Sequence, residues 1–411
     1  MTTVNPFRTI ESAKLRSLLF LFTAGLSFWI SMTCLLPTLP AYIADLGGTA
    51  QQVGTVMGCF AIGLLLSRTW LGSLADRRSR KLVVLIGAAV VAVAPLGYLF
   101  VESIAGLMAV RAFHGISIAA FTTGYSALVV DIAPAKQRGE VIGYMSLVVP
   151  IGMAVGPAVG GFLQAGAGYV PLFLVSAGAG CLALILASQI EEASRQMSGS
   201  PAQAGRSFWQ LLRSRSLLIP AVVLSLIGLV FGSLVSFFPL YLRATGVELN
   251  AGLFYSTAAI ASFSVRVFAG RVSDRVGRGG LITASLLCYG VSMLLLRTAQ
   301  SSVAFIVAAA VEGAGAGLLL PTTIALISDR STTAERGRVH ALCIGGFDVG
   351  IAIAGPLLGT LTIFIGYQGI FLLAAVMAGL ALLVFLTQSN QTLSHSLGFA
   401  LGRERDSYAI D

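Results

Sequence analysis

Twelve apolar runs of about 19–28 residues follow one another along this chain, and only a membrane-spanning bundle of helices accommodates such a pattern. They cover residues 17–43, 50–73, 82–101, 104–131, 139–165, 169–190, 217–242, 250–272, 279–297, 302–328, 338–365 and 369–388. Of the 411 residues 56% are hydrophobic and only 10% charged, against about 25% charged in soluble domains. No polar stretch is long enough to be a soluble domain. The longest, Glu191 to Ser216, lies midway along the chain.

The charge pattern sets the orientation. The net charge is +9, yet 21 of the 26 Lys and Arg fall in the two ends, in alternate loops or at the span edges beside them. Only Arg243 and Arg297 fall in the other set of loops, and Arg68, Arg111 and Arg266 lie within spans. Basic residues near span ends stay on the cytoplasmic side, so both termini are expected there. The basic excess therefore reports topology, and no nucleic-acid partner is expected. Arg8, Lys14 and Arg16 precede an apolar run too long for a signal peptide and without a small-residue cleavage site, so that run is read as the first span. Cys34, Cys59, Cys181, Cys288 and Cys343 are isolated within apolar spans, with no C-x-x-C and no His cluster. They read as packing residues, and no metal or cofactor is expected.

The second half of the chain repeats the first. "SRTWLGSLADRRSRK" (67–81) and "VRVFAGRVSDRVGRG" (265–279) set Arg68 against Arg266, Gly72 against Gly270, Asp76 against Asp274, Arg77 against Arg275 and Arg80 against Arg278, all 198 residues apart. The same offset pairs Gly115 with Gly313, Asp131 with Asp329, Arg138 with Arg336, Gly139 with Gly337 and Gly152 with Gly350. With a slip of one residue, "LPAY" (39–42) meets "FPLY" (238–241), and Gly156–Pro157 meets Gly355–Pro356. Six spans repeated in parallel predict an all-α polytopic membrane protein, its 12 transmembrane helices forming two pseudo-symmetric six-helix bundles around a central cavity. The bundles are expected over 1–190 and 217–411, joined by a cytoplasmic linker at 191–216.

Three motifs then carry a resemblance that covers essentially the whole chain. "GSLADRRSRK" (72–81) is similar to the loop signature between helices 2 and 3 of the major facilitator superfamily. "RAFHG" (111–115) resembles that family's helix-4 motif, and "GMAVGPAVGG" (152–161) its helix-5 motif typical of proton-coupled antiporters, which are mostly exporters. Ser79 departs from the signature where the family usually has Gly and where Gly277 keeps it, a change expected to strain the first turn.

The resemblance implies a cytoplasmic gate built on Gly72, Asp76, Arg77, Arg80, Asp131 and Arg138, with copies at Gly270, Asp274, Arg275, Arg278, Asp329 and Arg336. Arginines at 77, 80, 275 and 278 can pair with Asp131, Glu140, Asp329 and Glu335 on neighbouring loops, while an acid such as Asp76 suits a helix N-terminus. Ordinary positive-inside loops with weak incidental pairs are the plainer reading, but loop charge alone would not reproduce residue order across the repeat. Arg68 and Arg266, about 12 Å inside their spans by helical rise, either snorkel to the interface or join the gate. Gly152, Gly156, Gly160 and Gly161 with Pro157 read as a close-packing face with a bend.

Charges deep in a span are functional candidates by default. Arg111 and His114 in span 4, Glu312 in span 10 and Asp348 in span 11 qualify, and Glu312 stands at the repeat position of His114. A carboxyl that is neutral in one state and charged in another can couple proton flow to alternating access; neutralisation of Arg111 or another buried group is the competing role. Exporters of the superfamily often carry an acid in span 1, and this chain has none between Arg16 and Asp45. By the same resemblance spans 1, 4, 7 and 10 line the cavity, which makes Trp29, Phe121, Tyr125, Phe237 and Phe238 the substrate-binding candidates. The expected activity is proton-coupled antiport that exports small, drug-like organic molecules from a bacterial-type inner membrane, by a monomer. Symport or facilitated passage of sugars or organic acids is the alternative. An enzyme is not expected, because His114, His340 and His395 are scattered and the cysteines isolated, and a primary pump is not expected, because no phosphate-binding loop is present.

Overall fold

The computed structural model describes residues 11–134, 137–192, 208–332 and 335–410, with side chains throughout except at 208–209, 212 and 269–276. The described residues form α1 (Ser12–Thr33), α2 (Leu39–Asp45), α3 (Ala50–Arg77), α4 (Arg80–Phe100), α5 (Ile104–Ile132), α6 (Arg138–Met145), α7 (Val148–Ala167), α8 (Tyr169–Ser188), α9 (Phe208–Arg213), α10 (Arg215–Thr245), α11 (Ala251–Thr298), α12 (Ser302–Asp329), α13 (Arg336–Gln388) and α14 (Leu393–Ala400).

Eleven stretches among these residues are long and apolar enough to span a membrane. One of them, α13, runs for 53 residues and breaks at Gly366, where φ is 63° and ψ 178°. It therefore carries two of the expected spans, and the count reaches twelve. The break between the two spans of α11 falls at Gly277, with φ 80° and ψ 158°. Positive φ is open to Gly at little cost, so these two glycines turn the chain between spans with no loop. At the repeat position of Gly277, Ser79 lies in extended backbone (φ −163°), and its hydroxyl accepts a hydrogen bond from the Leu82 N–H. The expected strain at Ser79 is absent, because a serine N-cap replaces the glycine turn.

The described residues divide into two compact units. One is drawn from Met1–Leu46, Cys59–Met197 and Asn250–Gly252, the other from Gly47–Gly58, Ser198–Leu249 and Leu253–Asp411. In the first, α1 packs on α7 and α8, and α4 on α5 and α8. Ser31 and Ser176 join α1 to α8 by reciprocal bonds, each hydroxyl donating to the other's carbonyl at 2.7 and 2.9 Å. In the second, α10 packs mainly along α13.

Several local contacts recur at the repeat offset. Ser103 and Ser301 cap α5 and α12, each accepting from the N–H three residues on. The Tyr42 hydroxyl donates to the Tyr98 carbonyl (2.7 Å), and that of Tyr241 to the Leu296 carbonyl (2.9 Å). A Cβ on Gly115 would overlap the Phe60 carbonyl, and one on Gly313 the Ala258 carbonyl. Each glycine thus lets two helix backbones approach inside its own unit.

Candidate functional site

The residues expected to form a gate come together in part. Arg80, in the first turn of α4, pairs with Asp131 near the end of α5 at 2.5 Å and donates to the Ala127 carbonyl at 2.9 Å. Its copy Arg278 pairs with Asp329. Asp76, Arg77, Arg138 and Arg336 are exposed at helix ends, and Gly72 faces open space. Gly270, Asp274 and Arg275 lie outside the described side chains. Arg68 is half-buried and Arg266 exposed.

The glycine motif of α7 is a helix-contact face. A Cβ on Gly152 would meet Trp29, one on Gly156 the Thr33 hydroxyl and one on Gly160 the Cys34 carbonyl. All three partners belong to α1 or its end. Thr33 donates to the Gly152 carbonyl at 2.9 Å across the same seam. Gly161 turns elsewhere, towards Asn250, and Pro157 is buried within the helix.

Four ionisable residues deep in the spans are enclosed. Arg111 is 4% exposed and His114 0%, both on α5; Glu312 on α12 is 5% and Asp348 on α13 is 7%. The Arg111 guanidinium lies over the Phe60 ring at 4.4 Å. Tyr98 of α4 stands beside it and hydrogen-bonds His114 Nδ1 through its hydroxyl at 3.1 Å. Glu312 lies near the Tyr255 and Tyr289 side chains of α11, and its Oε1 has no hydrogen-bond partner among the described residues. The repeat position of Arg111 is Ala309. One repeated frame therefore holds a cation in the first unit and a carboxyl in the second.

Three of the five substrate candidates come together. Trp29, Phe121 and Tyr125 line a cavity of about 210 Å³ in the first unit, with Ser126, Met145 and Val149 among the other walls. Phe121 stacks on Phe28 at 3.9 Å, and Tyr125 donates to the Met145 carbonyl at 2.8 Å. Phe237 and Phe238 do not line it. Both are fully enclosed, Phe237 against Ala354 and Ile370, Phe238 against Phe254 and Phe305.

A model of the Major Facilitator Superfamily matches residues 21–296 and 250–403. The chain belongs to this superfamily. It is a multi-pass membrane transport protein, similar to the multidrug resistance protein MdtG of Serratia proteamaculans (26% identity over 87% of this chain and 90% of that one). The quinolone resistance protein NorA of Staphylococcus aureus is 30% identical over a shorter stretch, 38% of this chain and 40% of NorA. Among solved structures, a variant of the nucleoside transporter NupG superposes with a TM-score of 0.78 at 14% identity, covering 90% of this chain and 99% of that one. A bacterial homologue of the human lysosomal transporter Spinster gives 0.72 at 17% identity, over 92% and 97%. Both share the superfamily fold.

Two features of this superfamily member had no signal in the motifs. Glu192, just past α8, accepts from the Ser79 hydroxyl (2.5 Å) and the Arg80 N–H (2.8 Å), and so caps the helix that carries Arg80. Arg330, at the end of α12, is buried and holds Asp406 of the C-terminal segment. Tyr98 likewise carries no sequence signal, since a lone tyrosine in an apolar run reads as packing.

Proposed function

We propose that this transporter is a proton-coupled antiporter that exports small, amphipathic, drug-like molecules by alternating access. The observation that carries the reading is Glu312, a carboxyl enclosed mid-helix with no cation within ion-pair distance among the described residues. Such a group is retained in an apolar span only where its charge does something. Asp348 is a second enclosed carboxyl in the same unit. The glycine face of α7 against α1 supports antiport, and the cavity lined by Trp29, Phe121 and Tyr125 suits the aromatic part of a cargo. The multidrug and quinolone resistance for which MdtG and NorA are named supports drug-like cargo. The Arg80–Asp131 and Arg278–Asp329 pairs fit a gate at the cytoplasmic ends of the helices.

The test uses acidified inside-out vesicles carrying a pH-sensitive dye. Addition of a cargo drug releases protons through the wild type, and Glu312→Gln or Asp348→Asn abolishes the release. Cargo movement through the wild type with no proton signal sinks the antiport reading and leaves facilitated passage.

A further inference from the structure

The first unit buries a positive charge that no carboxylate among its described residues neutralises. Arg111 is 4% exposed, and among the described residues no carboxylate lies within ion-pair distance of it. The acids of the first half are Glu11, Asp45, Asp76, Glu102, Asp131, Glu140, Glu191 and Glu192, all in loops or at helix ends. The nearest of them along α5, Glu102, precedes Arg111 by nine residues, about 13 Å of helical rise. A guanidinium does not shed its proton in a protein, so the charge persists in every state of the transporter. The Phe60 ring beneath it offers a cation–π contact, which offsets only part of the lost hydration.

Two buried donor-capable atoms at the same place also lack partners, Arg111 Nε and His114 Nε2. Tyr98 bridges the two side chains, lying beside the guanidinium and bonding His114 Nδ1. The local backbone fixes this geometry. Gly63 and Gly115 let α3 and α5 touch, which sets Phe60 under the arginine. A planar fork with an unbonded Nε, lying over an aromatic ring and flanked by two further polar groups, supplies donors of the kind a carboxylate accepts from.

We infer that Arg111, His114 and Tyr98 form a binding site for a single negative charge, supplied by the carboxylate of the transported molecule. The inference rests on the transport reading and names the charge class of its cargo. His114, Phe121 and Tyr125 follow one another along a single stripe of α5, seven and then four residues apart. An anionic head at Arg111 and His114 therefore lies on the same helix face as the aromatic cavity, about 10 Å of rise from His114 to Phe121. The repeat position in the second unit is built differently, with Ala309 at the arginine position and Glu312 at that of the histidine.

The test is equilibrium binding to the full-length protein in nanodiscs, by calorimetry, of naphthoate and of its uncharged methyl ester. The wild type is expected to bind the acid about tenfold tighter than the ester. R111Q loses that preference, and R111K, which keeps the charge without the fork, keeps part of it. A titration with chloride separates an inorganic source of the charge: chloride binding that needs Arg111, with equal affinity for acid and ester, overturns the cargo assignment. Equal affinity of the wild type for both probes, with no chloride binding, or a preference that survives R111Q, overturns the site itself. The wild-type comparison decides even where a variant fails to fold. No proton gradient is involved, so loss of the antiport reading leaves the acid preference standing, and loss of the preference leaves substrate-triggered proton release untouched.

Discussion

Arg330 grips Asp406 through two guanidinium nitrogens, Nε at 2.7 Å and Nη2 at 2.9 Å, and both side chains are nearly enclosed. The same guanidinium donates to the carbonyls of Ser216 and Ser389. One side chain therefore ties the C-terminal segment to the start of α10 and the ends of α12 and α13. The Ile410 N–H completes the docking at the Asp329 carbonyl, 2.8 Å away.

Removing one member of a buried pair strands the other, at a cost of about 3–5 kcal/mol. D406N is accordingly expected to lower the unfolding temperature of the detergent-solubilised protein clearly. The double replacement R330M/D406L is expected to cost less than the single changes summed. A double-mutant cycle in thermal unfolding checks this, and additive losses would show that the pair contributes nothing.

The duplicated pairs behave differently, because Asp131 and Asp329 keep 35% and 40% of their side-chain surface. Exposed pairs contribute at most about 1 kcal/mol. D131N and D329N are therefore expected to leave stability nearly unchanged while slowing transport several-fold. Equal transport rates at equal protein levels would remove both aspartates from the gate.

Glycine substitutions separate contact positions from open ones. G115A and G313A drive a methyl group into a neighbouring backbone carbonyl, and overpacking of this kind costs about 1–3 kcal/mol. G72A meets no atom within 4 Å and is expected to fold as well as the wild type, with a gain of up to about 1 kcal/mol from helix propensity. Yield of monodisperse protein and thermal unfolding of the three variants rank them.

Glu192 is a cap supplied from a distant helix end. E192Q keeps the shape and loses the charge at the N-terminus of α4, while E192A loses both. The expected losses are about 0.5 and 1 kcal/mol, read as a graded fall in unfolding temperature. A fall of E192A no larger than that of a neighbouring surface substitution would dismiss the cap.

Spans and repeat were readable in the primary structure because membrane spanning is a local demand. Each span satisfies its own backbone hydrogen bonds, so length and hydropathy suffice to find it. That arginines of the duplicated loop face acids of its neighbours was also readable, but four arginines and four acids left the partner of Arg80 to the packing of α4 on α5. The geometry at Ser79 was not readable, because a serine cap and a glycine turn solve the same problem at a helix start, and the letter alone does not say which the backbone adopts. Phe237 and Phe238 could not be distinguished from Phe121, because an aromatic residue in an apolar span has the same hydropathy towards a cavity as towards a neighbouring helix.

Length, hydropathy, the placement of arginines and the 198-residue repeat determined that this chain crosses the membrane as two related six-helix halves. Each of those properties is carried by residues close together in the chain or copied along it. The tertiary structure decided which buried charges lack a partner, which glycines touch another backbone, and how Arg330 and Glu192 fasten distant ends. Those outcomes turn on distances of about 3 Å between residues far apart in sequence. Such distances exist only once the helices have packed.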